Sequence, residues 1–184
     1  MEALIRDLIP HTPKLGLYVA PDIPDRMLQR ALSDYGGDLS AAEVIALYDA
    51  TRFGTGGDGA LFAGSRFAFQ NTDLERGQVI RYTDVVGVRD KRRLLGGRYV
   101  EVDVNRGRAT ISLRIDFSAR PGASRYVARF LHEAMLIEPG ATPVSGGTDW
   151  KRVRSSLDRL MEEGSLSEDD YARILALGDP GADE

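Results

Sequence analysis

The sequence predicts an α+β fold in which about seven antiparallel strands are capped by one helix. Three observations carry that expectation. From residue 59 to 117 apolar and polar side chains alternate almost throughout, as strands with one dry face require. From Ser124 to about Leu136 the period becomes helical, with Tyr126, Val127, Phe130, Leu131 and Ala134 on one face. The first forty residues carry two short helical stripes instead of alternation.

Each element follows in order. Leu4, Ile5, Leu8 and Ile9 share a face from Glu2 to Ile9, where Pro10 stops the helix. A second helix from Pro24 to Tyr35 presents Met27, Leu28, Ala31 and Leu32 and ends at Gly36-Gly37. Ser40-Ala-Ala-Glu43 has capping-box spacing, so one helical turn is expected before a strand from Val44 to Thr51. Phe67 and Phe69 alternate against Arg66, Ala68 and Gln70, which makes 59–70 a hairpin. Gln78–Tyr82 and Val85–Arg89 are two short strands around Thr83-Asp84. Val100, Val102 and Val104 then alternate with Glu101 and Asp103, and Asn105-Arg106-Gly107 supplies a turn. The partner strand sets Ala109, Ile111, Leu113, Ile115 and Phe117 against Thr110, Ser112, Arg114 and Asp116.

Beyond Leu136 the composition changes. Glu138 to Thr148 holds two Pro and three Gly and reads as a linker. Val153, Leu157, Leu160 and Met161 stripe one helix, and Tyr171, Ile174 and Leu175 stripe a second after Glu163-Gly164. The expected organisation is a helical segment at 1–40, a β domain at 41–137, a linker at 138–148, a helical hairpin at 149–179 and a tail at 180–184. About thirty residues cannot bury a core alone. The hairpin therefore needs a partner for its apolar face, with Trp150 as its anchor.

Bulk composition narrows the function. The 184 residues are 42% hydrophobic, with no Cys and two His. Disulfides and thiolate metal sites are excluded, and His11 and His132 leave little for zinc or Ser-His-Asp chemistry. With no long apolar run and an acidic start, a cytoplasmic location is expected. The net charge of −4 is split. Residues 76–129 carry thirteen basic side chains against five acids, whereas 162–184 carry eight acids and Arg173 alone. Such splitting suits either an anionic partner for the middle of the chain or ordinary solvated surface.

Two features compete as sites. Gly54, Gly56 and Gly59 spell G-x-G-x-x-G. A dinucleotide loop needs a helix after its glycines, and here alternating residues follow, so an inter-strand turn is expected. A nucleotide-dependent enzyme using Gly54–Gly59 is thus a remote alternative. Asp49, Asp58 and Asp84 lack calcium-loop spacing and a companion nucleophile. Asp49 is expected to accept backbone N–H groups from the Gly-rich loop. The run Arg89, Lys91, Arg92 and Arg93, with Arg98 nearby, is a candidate anion site or a solvated hairpin tip. Sparse aromatic interleaving and the lack of a groove-reading helix disfavour nucleic acid.

Four segments, Pro24–Leu32, Val44–Gly54, Asp58–Phe62 and Ile80–Asp84, together with strands ending in one helix, resemble bacterial pleckstrin-homology-like (PH-like) proteins over about residues 24–136. Leu157 to Leu175 resembles the short C-terminal (SHOCT) domain, a helical hairpin. The first resemblance implies a β-barrel or sandwich that binds lipids, peptides or proteins. The second implies oligomerisation or interaction. The loop Phe53–Asp58 departs from phosphoinositide-binding members, which are basic there. The expected function is a non-enzymatic interaction module that needs no cofactor. Its hairpin residues Trp150, Leu157, Leu160, Met161, Tyr171, Ile174 and Leu175 would mediate self-association or protein binding. The alternative is a peripheral binder of anionic membrane or another polyanion through Arg89, Lys91, Arg92, Arg93 and Arg98.

Overall fold

The computed structural model describes residues 1–94, 96–137 and Tyr171. The chain divides into two compact units, Met1–Gly140 and Ala141–Glu184. The expected linker and the hairpin residues Trp150, Leu157, Leu160, Met161, Ile174 and Leu175 lie outside the described residues, and Tyr171 is helical.

The first unit is α+β, as expected. Helix α1 (Glu2–Leu8), strand β1 (Leu17–Val19) and helix α2 (Asp25–Tyr35) precede strands β2 (Val44–Asp49), β3 (Gly59–Ala63), β4 (Arg66–Gln70) and β5 (Gln78–Arg81). Then come β6 (Val85–Arg92), β7 (Arg98–Asn105), β8 (Thr110–Asp116) and helix α3 (Ser124–Leu136). The capping box forms: the Ser40 N–H donates to Glu43 Oε2 at 2.9 Å and opens a single 3-10 turn before β2.

The strands do not close into a barrel, which corrects the closed form of the expectation. They form a five-stranded sheet, β1-β2-β3-β4-β5, and a three-stranded sheet, β6-β7-β8, all antiparallel. A 3-10 turn at Tyr82–Asp84 carries the chain from one sheet to the other, so β5 and β6 are sequential without pairing. The strand missing from the expectation is β1, which pairs Leu17 with Tyr48 and Val19 with Ala46.

The larger sheet is buried on both faces. Ala60, Phe62, Phe67 and Phe69 join a core shared with Val100, Val102, Val104, Ile115 and α3, while Leu61, Ala63 and Ala68 pack under Met27, Leu28, Ala31 and Tyr35 of α2. Both parities of β3 and β4 are therefore apolar. Ile5, Leu8 and Ile9 from α1 enter the first core. Phe130 of α3 meets Phe62 and Tyr82 edge-on, at centroid separations of 5.6 and 5.5 Å, a favoured aromatic geometry.

Candidate functional site

The Gly-rich segment connects β2 to β3, so its glycines lie between two strands. Asp49, at the end of β2, is fully buried. Its Oδ1 accepts from the Thr51 N–H at 3.1 Å, the Thr51 hydroxyl at 2.6 Å and the Gly56 N–H at 3.1 Å. The Thr51 hydroxyl oxygen in turn accepts from the Thr55 N–H at 2.8 Å. Gly54 and Gly56 adopt φ of 70° and 74°, conformations that glycine enters without steric cost. Asp49 therefore organises the loop, as the sequence reading anticipates.

The other suspected carboxylates have separate surroundings. Asp58 accepts from Gln70 Nε2 at 3.4 Å, and burial pushes its pKa up. Asp84 sits half-buried in the turn between the sheets. Among the described residues, no group of three His, Asp or Glu is placed to hold a metal ion. His132 is exposed on α3.

The basic run folds into β6, the first residue after it and the start of β7, and four of its five members are ion-paired. Arg89 bonds Glu101 at 3.1 Å and Asp103 at 2.5 Å, and Lys91 bonds Glu101 at 2.6 Å. Arg98 bonds Asp90 at 2.6 Å and lies 2.9 Å from the Ser124 hydroxyl, while Arg93 pairs with Asp116 at 3.3 Å. These partners hold the Glu101 and Asp103 carboxyls below their usual range. For Glu101 the Lys91 hydrogen bond is the largest cause, and for Asp103 it is the Ser112 hydroxyl. Arg92 alone of the five is exposed without such a partner among the described residues. The two tyrosines beside the run separate: Tyr82 is core and donates to the Ala63 carbonyl at 3.0 Å, whereas Tyr99 lies under the Arg93 and Arg114 guanidiniums.

A different grouping emerges at one end of the unit. The β2–β3, β4–β5 and β6–β7 connections all adjoin the segment 114–120. Arg120 Nη2 donates to the Thr51 carbonyl at 3.3 Å, Asn71 Nδ2 donates to the Arg114 carbonyl at 2.8 Å, and Arg93 pairs with Asp116. Each connection carries a large apolar side chain in water: Phe53 is 85% exposed, Leu74 94% and Leu94 fully so. Arg52 stacks over the Phe53 ring at 6.0 Å, and Arg92 and Arg93 precede Leu94. The sequence signal was available in Phe53, an aromatic isolated among glycines and outside any alternating run. The shared attachment of the three connections to segment 114–120 was not, because tertiary contacts create it.

No protein-family model, curated protein or solved structure matches this chain.

Proposed function

We propose that the chain is a binding module that docks on an anionic membrane surface through the loops bearing Phe53, Leu74 and Leu94. The observation that carries this reading is the exposure of three large apolar side chains on three loops that all bond to segment 114–120, two of them beside arginines. Apolar tips gain by entering the lipid boundary, and arginines gain by meeting its negative charge. The docking cations are Arg52 and Arg92, since Arg89, Lys91 and Arg98 are committed to carboxylates. Among the described residues, no helix is long and apolar enough to cross a membrane. Sedimentation with vesicles containing phosphatidylglycerol tests the reading. Binding should fall with added salt, and F53S/L94S should abolish it at any salt. Equal recovery of wild type with and without vesicles at low salt would end it.

The helical spacing of Leu157, Leu160 and Met161, and of Tyr171, Ile174 and Leu175, in a sequence that also carries Trp150, supports a second reading: self-association through residues 149–179. Sedimentation equilibrium of the full chain and of a chain ending at Gly140 distinguishes the two. A drop in the number of chains per particle on truncation supports it, and an unchanged oligomeric state removes it.

A further inference from the structure

The seam left open between the two sheets has the chemistry of a strand acceptor. Strand β8 is one edge of the smaller sheet. Its backbone groups alternate in direction, as strand geometry requires. The Phe117 N–H turns back to the Arg98 carbonyl, whereas the Asp116 N–H and the Arg114 carbonyl turn outward. Those two outward groups meet the side-chain amide of Asn71. Its Oδ1 accepts from the Asp116 N–H at 2.8 Å and its Nδ2 donates to the Arg114 carbonyl at 2.8 Å. Asn71 thus supplies one carbonyl and one N–H, as the peptide unit of a neighbouring strand would.

The surrogate extends no further along the edge. By the same alternation the N–H and C=O of Ser112 turn outward, and they meet no protein partner among the described residues. Beside them lies a groove of about 430 Å³. Phe69 and Leu113 form its apolar part, and Gln78, Arg76 and Arg114 stand at its rim. Arg76 has no ion-pair partner among the described residues, and Arg114 reaches only to 3.8 Å from Glu101. Glu75, the acid at the rim, already accepts from Asn71 at 3.3 Å.

We infer that this groove binds an extended polypeptide segment of alternating β-branched and acidic residues, which adds as a strand to the free edge of β8. Strand addition takes its affinity from main-chain hydrogen bonds and its selectivity from alternate side chains. Strand β7 shows what chemistry β8 accepts on its other edge: Val100, Val102 and Val104 turn to the core while Glu101 and Asp103 face Arg114 and Ser112. A segment of that pattern would set its apolar side chains on Phe69 and Leu113 and its acids toward Arg76 and Arg114. The inference is independent of membrane docking, which uses other side chains.

The probe is the capped hexapeptide with the sequence of residues 99–104, YVEVDV, titrated into the ¹⁵N-labelled full chain. Amide shifts should appear at Ser112 and Arg114 and at the Asn71 side chain. Ser112→Pro removes an outward donor while leaving the backbone ladder to β7, as an edge position permits, and should abolish the shifts; Ser112→Ala, which removes only the hydroxyl bonded to Asp103, should retain them. Arg114→Glu, at an exposed position, should weaken binding by about tenfold or more and favour the basic peptide YVKVKV instead. No shift at millimolar peptide, or shifts indifferent to both Ser112→Pro and Arg114→Glu, would overturn the proposal. So would a full chain that dimerises by itself and loses that dimer on Ser112→Pro, because the edge would then be a self-interface.

Discussion

Arg120 Nη2 stands 3.9 Å from Asp49 Oδ2, a buried carboxylate oxygen that receives no hydrogen bond. The same guanidinium donates to the Lys14 carbonyl at 3.2 Å and the Thr51 carbonyl at 3.3 Å. One side chain thereby joins the N-terminal segment, the Gly-rich loop and the entry to α3. Removing it leaves a buried charge without a counterion and two carbonyls without a donor, and such losses cost several kcal/mol. Arg120→Ala should lower unfolding stability by about 3 kcal/mol, measured by urea denaturation. Asp49→Asn in the same background should recover part of that loss, because the unpaired charge is gone.

The acid limb of stability should depend on Glu101. Its folded pKa is lowered by Lys91 and Arg89, and that of Asp103 by Ser112 and Arg89. A carboxylate with a depressed folded pKa contributes stability that is present above its unfolded pKa and lost as pH falls through the folded one. Asp58 runs the other way, since burial raises its pKa. Its ionisation opposes folding, and acid relieves that. Melting temperatures collected from neutral pH downward should fall for the wild type below the ordinary carboxylate range. Glu101→Gln should be less stable at neutral pH, with a shallower decline in acid. An unaltered decline would remove Glu101 from the account.

The cap on the main core should be costly to truncate. Phe130 is fully buried and meets two aromatic rings edge-on. Phe130→Ala removes that contact and opens a cavity between α3 and both sheets, for a loss of about 3–5 kcal/mol. Phe130→Leu, which keeps most of the volume, should cost clearly less. Equilibrium denaturation of both variants checks the order.

Alternation made β7 and β8 legible, while β2 and β3, buried at every position, show short apolar runs that fit strand and helix almost equally; α2 and α3 were legible because their apolar faces repeat at helical spacing. Strand β1 was not: three residues, Leu17 to Val19, are too few to show a period, and only pairing with β2 makes them a strand. Closure of the sheets was equally hidden, since no local pattern reports whether β5 and β8 meet. The basic run illustrates a third limit. Its charges are plain in the sequence, but Glu101 and Asp103, which neutralise Arg89 and Lys91, come from the next strand through register. Arg120 reads as a strand terminator before Pro121-Gly122, and its bonds to Lys14 and Thr51 span 106 and 69 positions. Separations of that size leave no mark on local spacing.

The first unit should stand without the second. Both hydrophobic clusters are built from described residues between Ile5 and Ala134, and the unit boundary falls at Gly140. Its 140 residues are within the ordinary size of a domain that folds alone. A chain ending at Gly140 should therefore unfold in one cooperative step, with a melting temperature within a few degrees of that of the full chain measured well below any association threshold. Loss of cooperativity, or a fall much beyond the roughly 2–4 °C that a loss of about 1 kcal/mol produces in a domain near 150 residues, would show that residues 141–184 contribute to the core.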